Sequence, residues 1–235
     1  ERCLRIGSDL ARQRVEVFPT AHFNMGGVRI NRDGFTNLEG LFASGEDSSG
    51  VHGANRLGGN GVAESTVFGA RVGDVVAKWV KATPYGDIRT ERVREAEAEA
   101  DRFLQSGRSE SPFTLRDELG QLMWDQAGIV RSGPKLRGAI EVIHEFADRL
   151  SEVRIAGGRT FNLAWQQALD MRNLLYASEL IARSALMREE SRGAHYREDF
   201  PETDNANWLK NVYLAHENEG PRLWTEPVKL TRLQP

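Results

Sequence analysis

The residues best suited to chemistry in this chain lie in its first third. Residues 51–65 read VHGANRLGGNGVAES, with Arg56 set among Gly53, Gly58, Gly59 and Gly61 just where a helical pattern begins. A helix N-terminus carries unpaired N–H groups and a partial positive charge. Glycines beside it let a planar or anionic group reach those amides without meeting a Cβ, and Arg56 adds a planar, bidentate donor suited to a carboxylate. A plain helix cap with a solvated arginine explains the same residues equally well on physics alone. His22, in PTAHFNMGG, follows an expected strand and precedes a Gly-Gly turn; a lone histidine there is more often structural. Glu46 closes the apolar stretch GLFASGE and could accept from ribose hydroxyls, as acidic residues at strand ends do, or be an exposed loop carboxylate. Further on, ESRGAHYREDFP (190–201) gathers Arg192, His195, Arg197, Glu198 and Asp199, a density that points to an interdomain ion network rather than to catalysis.

Several other chemistries are excluded. Gly59 and Gly61 stand two apart but the residue three further on is Glu64, so there is no GxGxxG, and no Walker A sequence occurs; a self-contained nucleotide domain is not expected. The five histidines (22, 52, 144, 195 and 216) show no ligand spacing, and no metal site is expected. The single cysteine, Cys3, leaves no intrachain disulfide and no Cys-rich zinc or iron–sulfur site. A net charge of -3 without a basic stripe gives no reason to expect nucleic acid. No apolar run approaches the roughly 18–20 residues that cross a bilayer.

The elements that must position these groups fall into three stretches. Residues 1–83 are glycine-rich and mixed, with strands expected at VEVFPT (15–20), GGVRIN (26–31) and GLFASGE (40–46), an Asp-Gly turn in RDGFT, and a helix from Val62 to about Lys81. Val62, Val67, Ala70, Val76 and Ala77 share one side of that helix, and Gly69 and Gly73 suggest close approach of another backbone or a ligand. Residues 84–204 have helical period almost throughout, giving an antiparallel bundle. Its parts are a solvated helix over 87–104, a second capped at Thr114–Asp117 with Leu115, Leu119, Leu122 and Ile129 as its stripe, and a third after Gly133-Pro134 carrying Leu136, Ile140, Ile143, Ala147 and Leu150. A long last helix runs from about Asn162 to Glu190, with Gly193 as its stop. Residues 205–235 return to β character, with WLKNVYLAH and PRLWTEPVKL forming a hairpin. The fold class is α+β.

Taken in order, PTAHFNMGG, GLFASGE, HGANRLGGNGVAES and SRGAHYREDFP resemble the flavoprotein subunits of succinate dehydrogenase and fumarate reductase, a superfamily that includes L-aspartate oxidase. The resemblance runs through nearly the whole chain. It implies FAD as cofactor, His22 and Arg56 as contacts to a dicarboxylate, succinate or fumarate, and Glu46 as an FAD ligand. It also puts Asn60, Gly61 and Val62 at the cofactor, the last two through backbone amides at the isoalloxazine edge. Many relatives have Ser-Leu where this chain has Gly-Val, so a hydroxyl is lost and the backbone contacts are kept. The family's N-terminal dinucleotide fold, its flavin-attaching histidine and its capping-domain arginine all precede the matched region. The chain thus resembles a C-terminal portion that, alone, is expected neither to hold FAD tightly nor to turn over. An iron–sulfur electron-transfer subunit is the implied partner, and the implied location is cytoplasmic, with membrane association through partner subunits. L-aspartate oxidase or another FAD-dependent dehydrogenase of the superfamily is the alternative enzyme. A non-catalytic module that docks an iron–sulfur partner is the alternative of another class.

Overall fold

The computed structural model describes residues 7, 9, 11–14, 22–105, 107, 109–217 and 220–230, and the chain divides into two compact units, Glu1–Tyr85 and Gly86–Pro235. The strand expected at 15–20 lies outside the described residues.

In the first unit, short pairings replace the strands expected at 26–31 and 40–46. Asn31 Oδ1 accepts from the Asp33 and Phe35 amides at 2.9 and 3.1 Å, closing the Asp33-Gly34 turn. Gly34 sits at φ +82°, and a Cβ there would lie 2.5 Å from Val72 Cγ2, so only glycine lets this turn rest on the helix behind it. That helix, α1, is Asn60–Ala82. Phe35 and Phe42 form a single antiparallel bridge with ring centroids 4.6 Å apart, and Phe42 meets Trp79 of α1 edge-on at 5.5 Å. GLFASGE is therefore not a strand: it pairs only at Phe42 and, at Gly45 (φ +74°), turns into a short 3-10 helix, Gly45–Asp47. GGVRIN likewise contributes one parallel bridge, Val28 to Ser48.

Helix α1 starts near the expected residue, but its apolar stripe, apart from the half-buried Val76, is left uncovered among the described residues. Val62 is 79% and Val67 61% exposed, while the opposite side buries Val72 and Glu64. A Cβ at Gly69 or Gly73 would meet no atom within 4 Å, so the close packing these glycines suggest is not made among the described residues.

The second unit is built on its helices. Helix α2, Thr90–Asp101, has no buried residue and is fixed at its C-terminal end, where the Trp165 indole donates to Ala100 O at 2.7 Å and Arg159 grips Asp101. Helices α3 (Pro112–Ala127), α4 (Gly133–Ser151) and α5 (Leu163–Met187) pack on one another. Leu115, Leu119, Ile143, Phe146, Leu150, Ala168, Met171 and Leu175 interdigitate with Phe103, Val153 and Ile155 as the main core. A single helical turn, α6 (Asn205–Trp208), leads into an antiparallel hairpin, β1 (Lys210–Glu217) and β2 (Gly220–Pro227), and β1 lies against α5.

Three local expectations shift here. Helix α3 is capped by Ser111, whose hydroxyl accepts from Phe113 N at 3.3 Å, rather than at Thr114; Pro112 at the first helical position pre-sets the backbone one turn earlier. Ile129 and Ala147, assigned to apolar stripes, are exposed. Helix α5 stops at Met187, well before Gly193, because the Arg197 guanidinium takes the carbonyls of Ala185, Leu186 and Arg188 that a further turn would use.

Candidate functional site

The loop that begins at His22 is the hub of the first unit. Its Asn24 amide donates to Glu46 Oε1 at 2.8 Å, and Val28 N donates to Asp47 O at 2.8 Å. A Cβ at Gly27 would fall 2.4 Å from Asp47 O, so this glycine is what lets the two backbones close. Glu46 is thereby tied to the loop that carries His22, whose own side chain is exposed.

Phe23 makes the second connection. The Arg56 guanidinium lies over its ring, 4.6 Å from the centroid, and the His52 ring meets it edge-on at 5.3 Å. A Cβ at Gly61 would stand 3.1 Å from Phe23 Cε2 and 3.6 Å from Arg56 Cδ. The structure thus gathers Arg56 and Gly61 around Phe23, and Glu46 around the next residue, Asn24. Helix α1 opens behind Gly59 (φ +80°) with no side chain capping it and no acidic residue in its first turn, so its positive end is uncompensated. Asn60 and Val62 belong to that first turn.

Buried polar atoms without partners concentrate in this short stretch. Among the described residues, His52 Nε2, Arg56 Nε and both carboxylate oxygens of Glu64 have none. Such groups cost free energy unless something else supplies a partner, which makes the stretch a place where a ligand or a further piece of protein would be stabilising. Phe23, His52 and Glu64 were not picked out from the sequence. The aromatic next to His22 was the available signal for the first; a histidine and a glutamate flanking a Gly-rich turn carry no comparable one.

The charged cluster of ESRGAHYREDFP behaves differently. Arg197, 2% exposed, pairs with Asp199 at 2.7 and 2.8 Å as well as donating to the end of α5. Glu190, fully buried, accepts from Arg188 and Arg192 and from the Asp204 amide, so the network fastens the hairpin segment to the bundle within one compact unit. His195 Nδ1 lies 3.0 Å from Arg131 Nη1 and Nε2 3.3 Å from Arg188 O; the arginine can only donate, so the proton sits on Nε2. Burial, reinforced by Arg131, pushes the His195 pKa down to about 4. Arg197, with help from the Gly133 amide, holds the Asp199 carboxyl well below the usual carboxylate range. These groups satisfy one another and are scaffolding. An open groove of about 450 Å³, left by Ala96 and Ala100 of α2 against Trp165, is mainly apolar, and its Arg159 is already held by Asp101.

The candidate site is thus an uncapped, glycine-fronted helix end beside an arginine, in a chain that continues into a helical bundle and hairpin. Residues 6–62 match the FAD binding domain family, and residues 116–235 match the family described as fumarate reductase flavoprotein C-term. The chain belongs to this fumarate reductase flavoprotein family. It is 44% identical over 216 residues to one component of the fumarate reductase (CoM/CoB) of Methanothermobacter marburgensis, covering 92% of this chain and 39% of that protein. It is 35% identical to the fumarate reductase flavoprotein subunit of Escherichia coli, covering 98% of this chain and 39% of that one. Its fold superposes on one chain of the Mycobacterium smegmatis Sdh1 complex with a TM-score of 0.88 at 36% identity, over 99% of this chain and 40% of the other. The chain therefore spans about 40% of the length of the relatives it matches.

Proposed function

We propose that the protein containing this chain interconverts succinate and fumarate, with FAD lying against the N-terminus of α1 and the dicarboxylate held by Arg56 and His22. The observation that carries this reading is the state of Arg56. Its guanidinium rests on an aromatic ring, donates once, to Leu57 O at 3.2 Å, and pairs with no carboxylate among the described residues. Among the described residues its remaining donors meet no acceptor, and a carboxylate matches the guanidinium's planar fork.

The residues present fit a flavin: glycines at 58 and 59 leave open space where a Cβ would stand, and the helix end behind them is uncapped. Bound flavin supplies a two-electron acceptor or donor. The work of this chain is then binding and electrostatics. Arg56 clamps one carboxylate, His22 hydrogen-bonds the substrate, and the positive end of α1 favours charge that grows on reduction. Clamped carboxylates stabilise carbanion-like charge at the reacting carbon more strongly in the transition state than in the ground state. Glu46, fixed by the Asn24 amide, is assigned to the cofactor. An iron–sulfur subunit is the proposed redox partner. Membrane association through such subunits accords with the lack of a helix long and apolar enough to cross a membrane among the described residues.

Arg56→Ala in the full-length flavoprotein tests the assignment. Losing one charge-stabilising contact lowers dicarboxylate turnover by about 10²–10³-fold or more, with the flavin retained. Steady-state kinetics with fumarate and succinate that match the parent protein would remove Arg56 from the site.

A further inference from the structure

We propose that Phe23 is the positioning residue of this site: its ring sets the direction of the Arg56 guanidinium while leaving the N–H donors free for the substrate. The proposal rests on the dicarboxylate reading above and deepens it.

An arginine that must bind an anion poses a problem of support. A carboxylate partner would hold it firmly but would occupy the donors that the substrate needs. An aromatic face holds the cation through the ring's quadrupole and uses none of them. Arg56 has the second kind of support, with Cζ 4.6 Å from the Phe23 centroid and a single hydrogen bond to the backbone of Leu57. Phe23 is itself fixed on two sides. His52 meets it edge-on, at 5.3 Å and 79° between planes, and Gly61 of α1 closes on it so tightly that a Cβ would stand 3.1 Å from Cε2. The ring therefore relates three separate stretches of chain: the loop of His22, the Gly-rich turn and the helix end. Since Phe23 follows His22 directly, the same backbone that presents the histidine also fixes the plane on which the arginine rests.

The test compares Phe23→Tyr, which keeps the ring, with Phe23→Leu, which removes it, and has two readouts. In the full-length flavoprotein, NMR of the Arg56 side chain reports the ring directly: its Cδ protons are shifted upfield by the ring current in the parent and in Phe23→Tyr, and lose that shift in Phe23→Leu. In the full-length flavoprotein, loss of a cation–π contact raises the KM for fumarate about 5- to 30-fold in Phe23→Leu, with kcat changed less and the flavin content equal to the parent. Phe23→Tyr restores the parent KM. If Phe23→Leu does not hold flavin, Phe23→Met, also without a ring, takes its place. Unshifted Arg56 protons in the parent, or a parent-like KM in the ringless variant, overturns the proposal. The kinetics of Arg56→Ala separate the two levels: a silent Arg56→Ala defeats the substrate reading itself, whereas a crippled Arg56→Ala beside a silent Phe23→Leu defeats only the role of Phe23.

Discussion

In Gly86–Pro235, the apolar residues that recur at helical spacing are mostly the ones that become buried; in Glu1–Tyr85, they are the ones left exposed. Leu115, Leu136, Ile143 and Met171 are almost wholly inaccessible, whereas Val62 and Val67 face outward, and Val72 is the one apolar side chain buried in the first unit among the described residues. At roughly 25 cal/mol per Å² of apolar surface removed from water, a helix whose stripe is uncovered gains little from folding. The second unit closes its own core. The first is a wall of loops and one helix that presents a chemical surface, together with an apolar face suited to further protein. The chain spans about 40% of the length of the relatives it matches, so the contrast can be tested by comparing it with the full-length protein.

The largest effect expected from this contrast concerns the cofactor. No GxGxxG motif is present to hold a pyrophosphate, and the proposed flavin contacts come from Glu46 and the start of α1, so the 235-residue chain mixed with FAD and desalted should retain far less than one flavin per chain by absorbance. Stoichiometric retention would mean that the first unit is complete by itself, and the comparison would fail. Next in size is the ion network that closes the second unit. Arg197→Ala leaves the last carbonyls of α5 without their donor, whereas the exposed Asp199 can be solvated; the unsatisfied buried carbonyls cost about 1–3 kcal/mol. Denaturant unfolding followed by helix signal would register that loss in the bundle. A change below about 1 kcal/mol would show that the bundle does not depend on the segment that ends it.

What could be read from the sequence follows the same division. The helices of the second unit were legible because period, breaks and burial agree there: Leu136, Ile140, Ile143 and Leu150 are all buried, and Asn162 caps α5 by accepting from Trp165 N at 3.1 Å. The end of α5 was not, because it is decided by Arg197, ten residues beyond Met187, and no local signal marks that arginine as a cap. In the first unit the strands expected at 26–31 and 40–46 are single bridges. Their β-forming residues lie between glycines in left-handed conformation, such as Gly34 and Gly45, and the neighbours that would extend the pairing are not among the described residues. The candidate residues Arg56 and Gly61 were legible from one motif, yet the side chain that brings them together, Phe23, was not. A cation–π contact between segments some thirty residues apart leaves no spacing to recognise.

A smaller effect separates the units by pH. The His195 pKa, held near 4 by burial and by Arg131, Arg188 and Arg197, compares with about 6.5 in an unfolded chain. Between those values the unfolded state binds a proton that the folded state refuses, so the stability of the second unit is lost as pH falls from about 6.5 towards 4. Asp199 acts in the same direction at lower pH: its carboxyl is depressed, and the stability it contributes is lost as pH falls through the usual carboxylate range and below. Thermal unfolding between pH 7 and pH 4.5 should therefore show a decline that His195→Asn flattens, since the amide oxygen can still accept from Arg131 but does not titrate in that range. An equally steep decline in the variant would assign the pH dependence to other groups.

The smallest expected effect is the most discriminating for the uncovered face of α1. Val67 is 61% exposed, so Val67→Asp removes almost no burial from the 235-residue chain and should change its stability by no more than about 0.5 kcal/mol. In the full-length flavoprotein the same substitution would place a charge where the apolar stripe is covered, at a cost of several kcal/mol unless the charge is neutralised or paired. Parallel melting curves of the two lengths, parent against variant, measure the difference between those costs. A substitution silent in the short chain and damaging in the long one identifies the stripe of Val62, Val67 and Ala70 as an internal surface of the larger protein. If it is silent in both, the stripe is ordinary exposed surface, and any contact with further protein is to be sought at His52 Nε2, Arg56 Nε and the Glu64 carboxylate, which lack hydrogen-bond partners among the described residues.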